Sequence, residues 1–341
     1  MTKCELKFTK YKIQNANRVI KDSIDHVIYN IQDLNLDYIS IYLGGSFGRG
    51  EGSLRKINSK WIPSNDFDFF IISKTVKKWN KLIPTLKENI KIKLKIDYID
   101  FYVFNIEQLK IFNNNISVYD FYYGSQLLDG IEIKHKIIIK LHTDFEPIEI
   151  FKLLCNRSAG VLNKKDNDYL RYQIVKLFIA MGDSILITSG FYHHLYLERY
   201  LMFKKFSSKS EMCKIFSNKM IQNIKWCYKF KIYGTDYFNY NILNYNYFYE
   251  LNKLYVYLVN KHFKIDKGNI LRSYKDSIKY FNKKDNCKNT RFLRILFAQP
   301  LMLTSSKPMI DYLFLFWNEK EAYKYFPSRK SSFKLWENFC H

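Results

Sequence analysis

Apolar residues in the first hundred positions follow two different spacings. Between residues 14 and 34 they recur every three or four positions, which predicts an amphipathic helix. Three apolar runs with the composition of strands lie at residues 38–43, 67–72 and about 92–104. Residues 75–90 return to helical spacing, and Pro84 is expected to kink that helix. The N-terminal part of the chain is therefore predicted to mix helices and strands.

From about residue 147 onward the spacing is helical only. Pro147 suits the first turn of a helix, and the mostly apolar segment 170–186 predicts a buried helix that Gly190 ends. Further helices are predicted over 193–206, 209–228, 243–263, 266–282 and 307–325, with a Tyr- and Asn-rich loop over 229–246. The expected fold class is α+β, with a mixed sheet and flanking helices in residues 1–145 and an all-α helical domain in residues 146–341.

The composition predicts a globular protein without membrane segments. Of the 341 residues, 47% are hydrophobic, which is ample for a core. No apolar run reaches the roughly 18 residues of a membrane-spanning helix, and the N-terminus shows no apolar signal segment. The six cysteines form no CxxC pair and have no zinc-ligand spacing, so reduced thiols are expected. The expected location is the cytoplasm, with no membrane partner.

A net charge of +23 suggests an anionic partner. Lys, Asn, Ile, Tyr and Phe are abundant together, however, and A+T-rich codons specify all of them, so base composition accounts for part of the charge. Lysine outnumbers arginine, whereas nucleic-acid readers usually rely on arginine. RNA is therefore one possible partner. We expect a partial stripe of basic residues that leads to Asp66 and Asp68. It would begin with Lys74, Lys77, Lys78 and Lys81.

A glycine-rich turn follows the first predicted strand. Five of the twelve glycines lie in the segment Leu43-Gly-Gly-Ser-Phe-Gly-Arg-Gly-Glu-Gly52. Gly45 lets the backbone approach a ligand closely, Ser46 adds a hydroxyl donor and Arg49 a cation, which together suit phosphate. The glycine spacing excludes the GxGxxG and GK[ST] phosphate loops. A turn with a purely structural role is the alternative.

Two carboxylates begin the second predicted strand. In the segment Asn65-Asp-Phe-Asp-Phe-Phe-Ile-Ile72, Asp66 and Asp68 point to the same face because side chains alternate along a strand. Two adjacent carboxylates repel, and a divalent cation such as Mg²⁺ removes the penalty of burying them. The alternative is a solvated strand end with two acids at a turn.

In combination, the glycine turn and the Asp-x-Asp strand resemble the DNA-polymerase-β-like nucleotidyltransferase superfamily. The order is strand, Gly-Ser turn, helix, and then a strand that begins Asp-x-Asp. The 19 residues between Ser46 and Asp66 are more than is usual in that family. The extra residues, around Ser53 to Ser64, are expected to form a loop at the mouth of the site. Weaker likeness extends over the segments 119–130 and 176–192.

The resemblance implies a nucleotidyltransferase-type mixed sheet and a third carboxylate on the neighbouring strand. In Ile96-Asp-Tyr-Ile-Asp100 the first acid matches the family pattern, so Asp97 is preferred to Asp100. Two Mg²⁺ ions would then lie on three carboxylates, those of Asp66, Asp68 and Asp97. The nucleoside triphosphate would be held by Gly45, Ser46, Arg49 and Lys176.

The implied reaction is transfer of a nucleoside monophosphate, for example from ATP, to a hydroxyl group with release of pyrophosphate. The acceptor could be a small molecule, a protein or an RNA end. A catalytically silent nucleotide- or RNA-binding protein with the same fold is the alternative. Asp183, inside an apolar helix, is either a polar group of the core or part of the cleft. The adjacent His193 and His194 do not share a helical face, so no metal site is expected there.

Overall fold

The computed structural model shows an α+β protein. It describes residues 6–10, 14–57, 60–63, 65–96, 98–107, 115–137, 145–162, 167–234 and 248–263. The chain forms two compact units, Met1–Phe145 with His193–Glu198, and Glu146–Tyr192 with Arg199–His341. The helices predicted over 266–282 and 307–325 lie outside the described residues.

The first unit is built on a four-stranded mixed sheet. Its helices are α1 (Gln14–Asp33), α2 (Gly45–Gly48), α3 (Val76–Leu94) and α4 (Ile116–Gly124), and its strands are β1 (Ser40–Leu43), β2 (Leu54–Ile57), β3 (Lys60–Pro63), β4 (Phe67–Ile72), β5 (Ile99–Phe104) and β6 (Gln126–Gly130). The strand order is β5-β4-β1-β6. β4 and β5 are parallel, whereas β1 is antiparallel to both β4 and β6. The predicted α+β class with a mixed sheet is confirmed.

The two faces of this sheet are covered differently. On one face Phe67, Phe69 and Ile71 of β4 join a core with the apolar sides of α1 and α3. On the other face Tyr42 and Ile72 belong to a smaller cluster with residues from α4 and from the chain after β6. Alternate residues of each strand therefore enter different cores, as the period of a strand requires.

Two predictions about this unit were wrong. The third strand begins at Ile99 instead of about residue 92, because Leu94 continues the helical stripe of Leu86 and Ile90 that packs on the core. The helix ends at Leu94, and Lys95, which follows it, has a left-handed backbone with φ of 54°. The stretch 53–64 was expected as a loop, but β2 and β3 pair there as an antiparallel two-stranded sheet.

The second unit is helical. Its elements are α5 (Pro147–Leu162), α6 (Asn167–Thr188), most of α7 (Tyr196–Phe206), α8 (Ser210–Ile215), α9 (Asn218–Tyr233) and α10 (Phe248–Phe263). The single helix predicted over 209–228 is two helices, because Ser217 caps α9 by accepting a hydrogen bond from the Met220 N–H at 3.2 Å. α9 also continues to Tyr233, into the stretch predicted as a loop.

α6 is the central helix of the second unit, and most of its residues are buried. Asp183 on this helix is a polar group of the core. Its carboxylate pairs with Arg199 Nη1 at 3.0 Å and accepts a hydrogen bond from Tyr228 Oη at 2.6 Å. Across the described ranges, no helix combines the length and apolar character needed to cross a membrane.

Candidate nucleotide and metal site

The glycine turn lies directly against the Asp-x-Asp strand. The Gly44 N–H donates a hydrogen bond to the Asp68 carbonyl at 2.8 Å, which ties the turn to β4. Gly45 follows with φ of 60°, and a methyl group at its α-carbon would overlap Asp68 Oδ2. Glycine is therefore required at position 45 for two reasons, a left-handed backbone and a carboxylate in contact.

Asp66 and Asp68 occupy the start of β4. Asp66 immediately precedes the strand and Asp68 is its second residue, so the alternation of side chains directs both carboxylates to the same face. Both side chains are half-buried. Ser46, on α2, is buried, and its carbonyl accepts a hydrogen bond from the Glu51 N–H at 2.9 Å. Gly45, Ser46 and Asp68 thus come together around one turn.

A third carboxylate lies beside Asp68 on the neighbouring strand, and it is that of Asp100. In the parallel pair of β4 and β5, Asp68 is aligned with Asp100. Aligned residues of adjacent strands point to the same face, so Asp100 joins the side of the sheet that carries Asp68. The preferred candidate of the sequence analysis, Asp97, falls outside the described residues, just before the strand begins.

Asp100 is held by a lysine of the long helix. Lys87 Nζ of α3 lies 2.6 Å from Asp100 Oδ1, with 28% of the lysine side chain and 45% of the aspartate side chain exposed. A pair this exposed contributes little to stability, since water screens it. Its importance is positional, because it puts a side-chain cation next to the Asp100 carboxylate.

The donor set fits magnesium bound together with a nucleotide. Among the described residues, no three His, Cys, Asp or Glu side chains gather into a metal cluster. Mg²⁺ is usually bound by one or two carboxylates, with water and substrate phosphates completing its shell, and seldom by a cage made only of protein groups. Asp66 and Asp68 at a glycine turn match that mode of binding, and Asp100 is an adjacent carboxylate on the neighbouring strand.

Arg49 is engaged by other residues of the first unit, and its predicted role with phosphate stays a prediction. Its Nε lies 3.1 Å from Glu51 Oε2, its side chain is 7% exposed, and its guanidinium lies over the Tyr196 ring at 5.0 Å. Glu51 Oε1 also accepts a hydrogen bond from the Tyr196 N–H at 2.8 Å. The arginine is thus part of the packing behind the turn. No local pattern could have identified Glu51 and Tyr196, because they are 145 residues apart.

Lys176 belongs to the second unit, on α6. Its Nζ lies 4.3 Å from the centre of the Tyr172 ring, a cation–π contact, and the side chain is half-buried. Its role in holding the nucleotide stays a prediction.

A half-buried lysine beneath the same face of the sheet was missed by the sequence analysis. Lys134 Nζ donates a hydrogen bond to the Ser125 carbonyl at 2.6 Å and lies 5.6 Å from the centre of the Tyr42 ring. Burial lowers the pKa of Lys134, although the nearby Glu132 opposes that shift. Burial also raises the pKa of Tyr42, whose hydroxyl donates to Glu132 Oε1 at 2.8 Å. Position 134 lies in a short polar run with no motif, so no sequence signal marked it.

Comparisons with protein-family models, curated proteins and solved structures find no match to this chain. The function is therefore inferred from the residues of the site and from the resemblance of their pattern.

Proposed function

We propose that the protein is a magnesium-dependent nucleotidyltransferase with a nucleotidyltransferase-type fold in its first unit. The observation that carries the proposal is the contact of Gly45 with the Asp68 carboxylate, together with the alignment of Asp68 and Asp100 on adjacent parallel strands. A glycine turn that meets a row of carboxylates is suited to a ligand that contains both phosphate and metal.

In the proposed reaction an acceptor hydroxyl attacks the α-phosphate of a nucleoside triphosphate, and pyrophosphate leaves. Asp66 and Asp68 would hold the metal, and either Asp100 or Asp97 would supply a further carboxylate beside it. When bound, Mg²⁺ neutralises phosphate charge and lowers the pKa of the acceptor hydroxyl. The Gly45 backbone and the Ser46 hydroxyl orient the β- and γ-phosphates. Arg49 is a further candidate for contact with phosphate, although Glu51 and Tyr196 already engage its guanidinium.

The proposal is tested by replacing the carboxylates singly. Asp66→Ala and Asp68→Ala should each abolish transfer of label from a nucleoside triphosphate in the presence of Mg²⁺ and a cell extract, with a normal circular dichroism spectrum. Asp25→Ala is the matched control, because Asp25 is an exposed acid on α1, which packs against the other face of the sheet. Full activity in both site variants would refute the assignment.

One observation favours the alternative, a nucleotide-binding protein without turnover. The Lys87 ammonium group already neutralises Asp100, as a metal ion would. For a silent protein we expect Mg²⁺-dependent retention of a labelled nucleotide and no released pyrophosphate with any acceptor. Detection of pyrophosphate that disappears in Asp68→Ala would exclude this alternative.

A further inference from the structure

Exposed lysines and tyrosines follow one another closely in sequence between the end of α3 and the middle of β5. Lys93 and Lys95 are exposed at the end of the helix, Tyr98 is 43% exposed just before β5, and Tyr102 is 38% exposed on that strand. We call these four residues the β5 surface. Exposed aromatic rings interleaved with cations are the usual means by which proteins bind single-stranded nucleic acid, because bases stack on the rings and phosphates meet the cations.

Tyr102 is held as a flat platform. Its ring stacks on Phe70 of β4, with 5.1 Å between ring centres and 26° between planes. Phe70 in turn contacts Phe104 at 6.3 Å and Phe121 at 5.0 Å. The tyrosine is thus backed on one side by packed aromatic rings while part of it stays open to solvent. An aromatic ring fixed in this way can stack a base without losing much conformational freedom.

The β5 surface and the glycine turn lie at different places on the sheet, so they would bind the acceptor and the nucleoside triphosphate separately. The glycine turn follows β1, Asp68 lies on β4, and Tyr102 lies on β5, in the order in which these strands neighbour one another. Two strand spacings, roughly 10 Å, separate β1 from β5. Phosphates at Gly45 and a base on Tyr102 therefore lie on opposite flanks of Asp68. Tyr102 is also two residues beyond Asp100 on the same face, about 7 Å along the strand.

We propose that the β5 surface binds the end of a single-stranded nucleic acid, and that this end is the acceptor. The role of this end as acceptor rests on the proposed function, whereas its binding to the β5 surface does not depend on that function. Tyr102 stacks a base next to the carboxylates, Tyr98 lies four residues earlier, just before the strand begins, and Lys93 and Lys95 contact phosphates.

The test of stacking is a titration of fluorescein-labelled decamers of single-stranded RNA and DNA against the full chain, followed by anisotropy. Tyr102→Leu should weaken binding by about tenfold, since it keeps an apolar side chain but removes the ring. Tyr102→Phe should bind like the natural protein. Tyr29→Leu is the control, because Tyr29 is 68% exposed on α1. Equal binding by Tyr102→Leu and the natural protein would overturn the proposal, as would no binding of either decamer at about 50 mM salt.

The test of charge compares two double variants that remove the same charge near opposite ends of α3. Lys93→Gln with Lys95→Gln should lower the salt dependence of binding by about 0.7 per lost phosphate contact. Lys74→Gln with Lys77→Gln should change the salt dependence little. These exposed lysines follow the last residue of β4, whereas β5 begins beside the first residue of that strand. Equal effects of the two pairs would show that only net charge matters and would overturn the proposal.

Nucleotide transfer is measured on the same proteins. Tyr102→Leu should raise KM for the oligonucleotide and leave KM for the nucleoside triphosphate unchanged. Decamer binding that maps to the β5 surface without any transfer would refute the proposed function and leave nucleic-acid binding in place. Transfer to a small molecule or a protein, with no decamer binding, would refute the β5 surface and leave the proposed function in place.

Discussion

Asp100 is the carboxylate that we expect to act together with Asp66 and Asp68. Because it is aligned with Asp68, we expect Asp100→Asn to lower the rate of transfer by about 100-fold or more, the usual effect of losing one group that stabilises charge in the transition state. Asp97→Asn is expected to have a smaller effect. Single-turnover kinetics at saturating Mg²⁺ would measure both. The reverse order would restore the third carboxylate to Asp97.

Gly45 is expected to tolerate no side chain. Gly45→Ala would place a methyl group on the Asp68 carboxylate and force alanine into a left-handed conformation, so both stability and transfer should be lost. Gly190→Ala is the matched control, because Gly190 has a φ of 73° in the second unit. It should lower the melting temperature through backbone strain and leave transfer intact. Comparable transfer by the two variants would remove Gly45 from the site.

Asp183 and Arg199 form a buried pair whose members depend on each other. Both side chains are 4% exposed, so Asp183→Ala should cost about 3–5 kcal/mol, since it leaves Arg199 buried without its carboxylate. A double variant, Asp183→Leu with Arg199→Met, should recover much of that loss. Urea denaturation of the three proteins would give the values. A single variant as stable as the natural protein would contradict this account of the core.

Among the elements, those that repeat an apolar stripe could be predicted and those set by tertiary contacts could not. The helix from Gln14 to Asp33 and the strand from Phe67 to Ile72 lie almost where their spacing put them. The end of α3 was misplaced because Leu94 fits both a helix stripe and a strand. β2 and β3 were missed because the polar residues between Ser53 and Ser64 resemble those of a loop.

Some residues of the candidate site could likewise be predicted from the sequence, and others could not. Asp66, Asp68 and the glycine turn are adjacent in sequence to the strands that hold them, so local pattern was sufficient to find them. The alignment of Asp100 with Asp68 depends on which strands are neighbours and in what register, and a single sequence does not contain that information. The pair of Lys87 with Asp100 depends further on how α3 packs on the sheet.

The contact between α6 and α10 should make stability depend on pH. Thr188 Oγ1 lies 3.2 Å from His262 Nε2, and burial lowers the pKa of His262 from its ordinary value of 6.5, with Lys261 adding to the shift. The folded protein thus disfavours the charged imidazole. Its contribution to stability is complete above pH 6.5 and is lost as the pH falls towards the lowered pKa.

The melting temperature should therefore fall as the pH is lowered from about 6.5 to 5, before carboxylates titrate. The His262→Gln variant should show a smaller fall over the same interval. Parallel curves for the two proteins would show that another group is responsible.

At the scale of the whole molecule, the net charge of +23 matters only through its distribution. The lysines expected to begin a stripe towards the site follow the end of β4, whereas Asp66 and Asp68 are at its start. Six residues of strand, about 20 Å, separate the two ends. The exposed lysines at the other end of α3, Lys93 and Lys95, lie where β5 starts and are the better placed.

The segment His193–Glu198 has a consequence for how the protein is made. It belongs to the first unit, and through Tyr196 it supports Glu51 and Arg49 behind the glycine turn. A ribosome that has synthesised only the first 145 residues has not yet supplied this segment. The first unit is therefore complete only after the chain has passed residue 198, and a gene fragment cut near residue 145 would encode that unit without one of its supports.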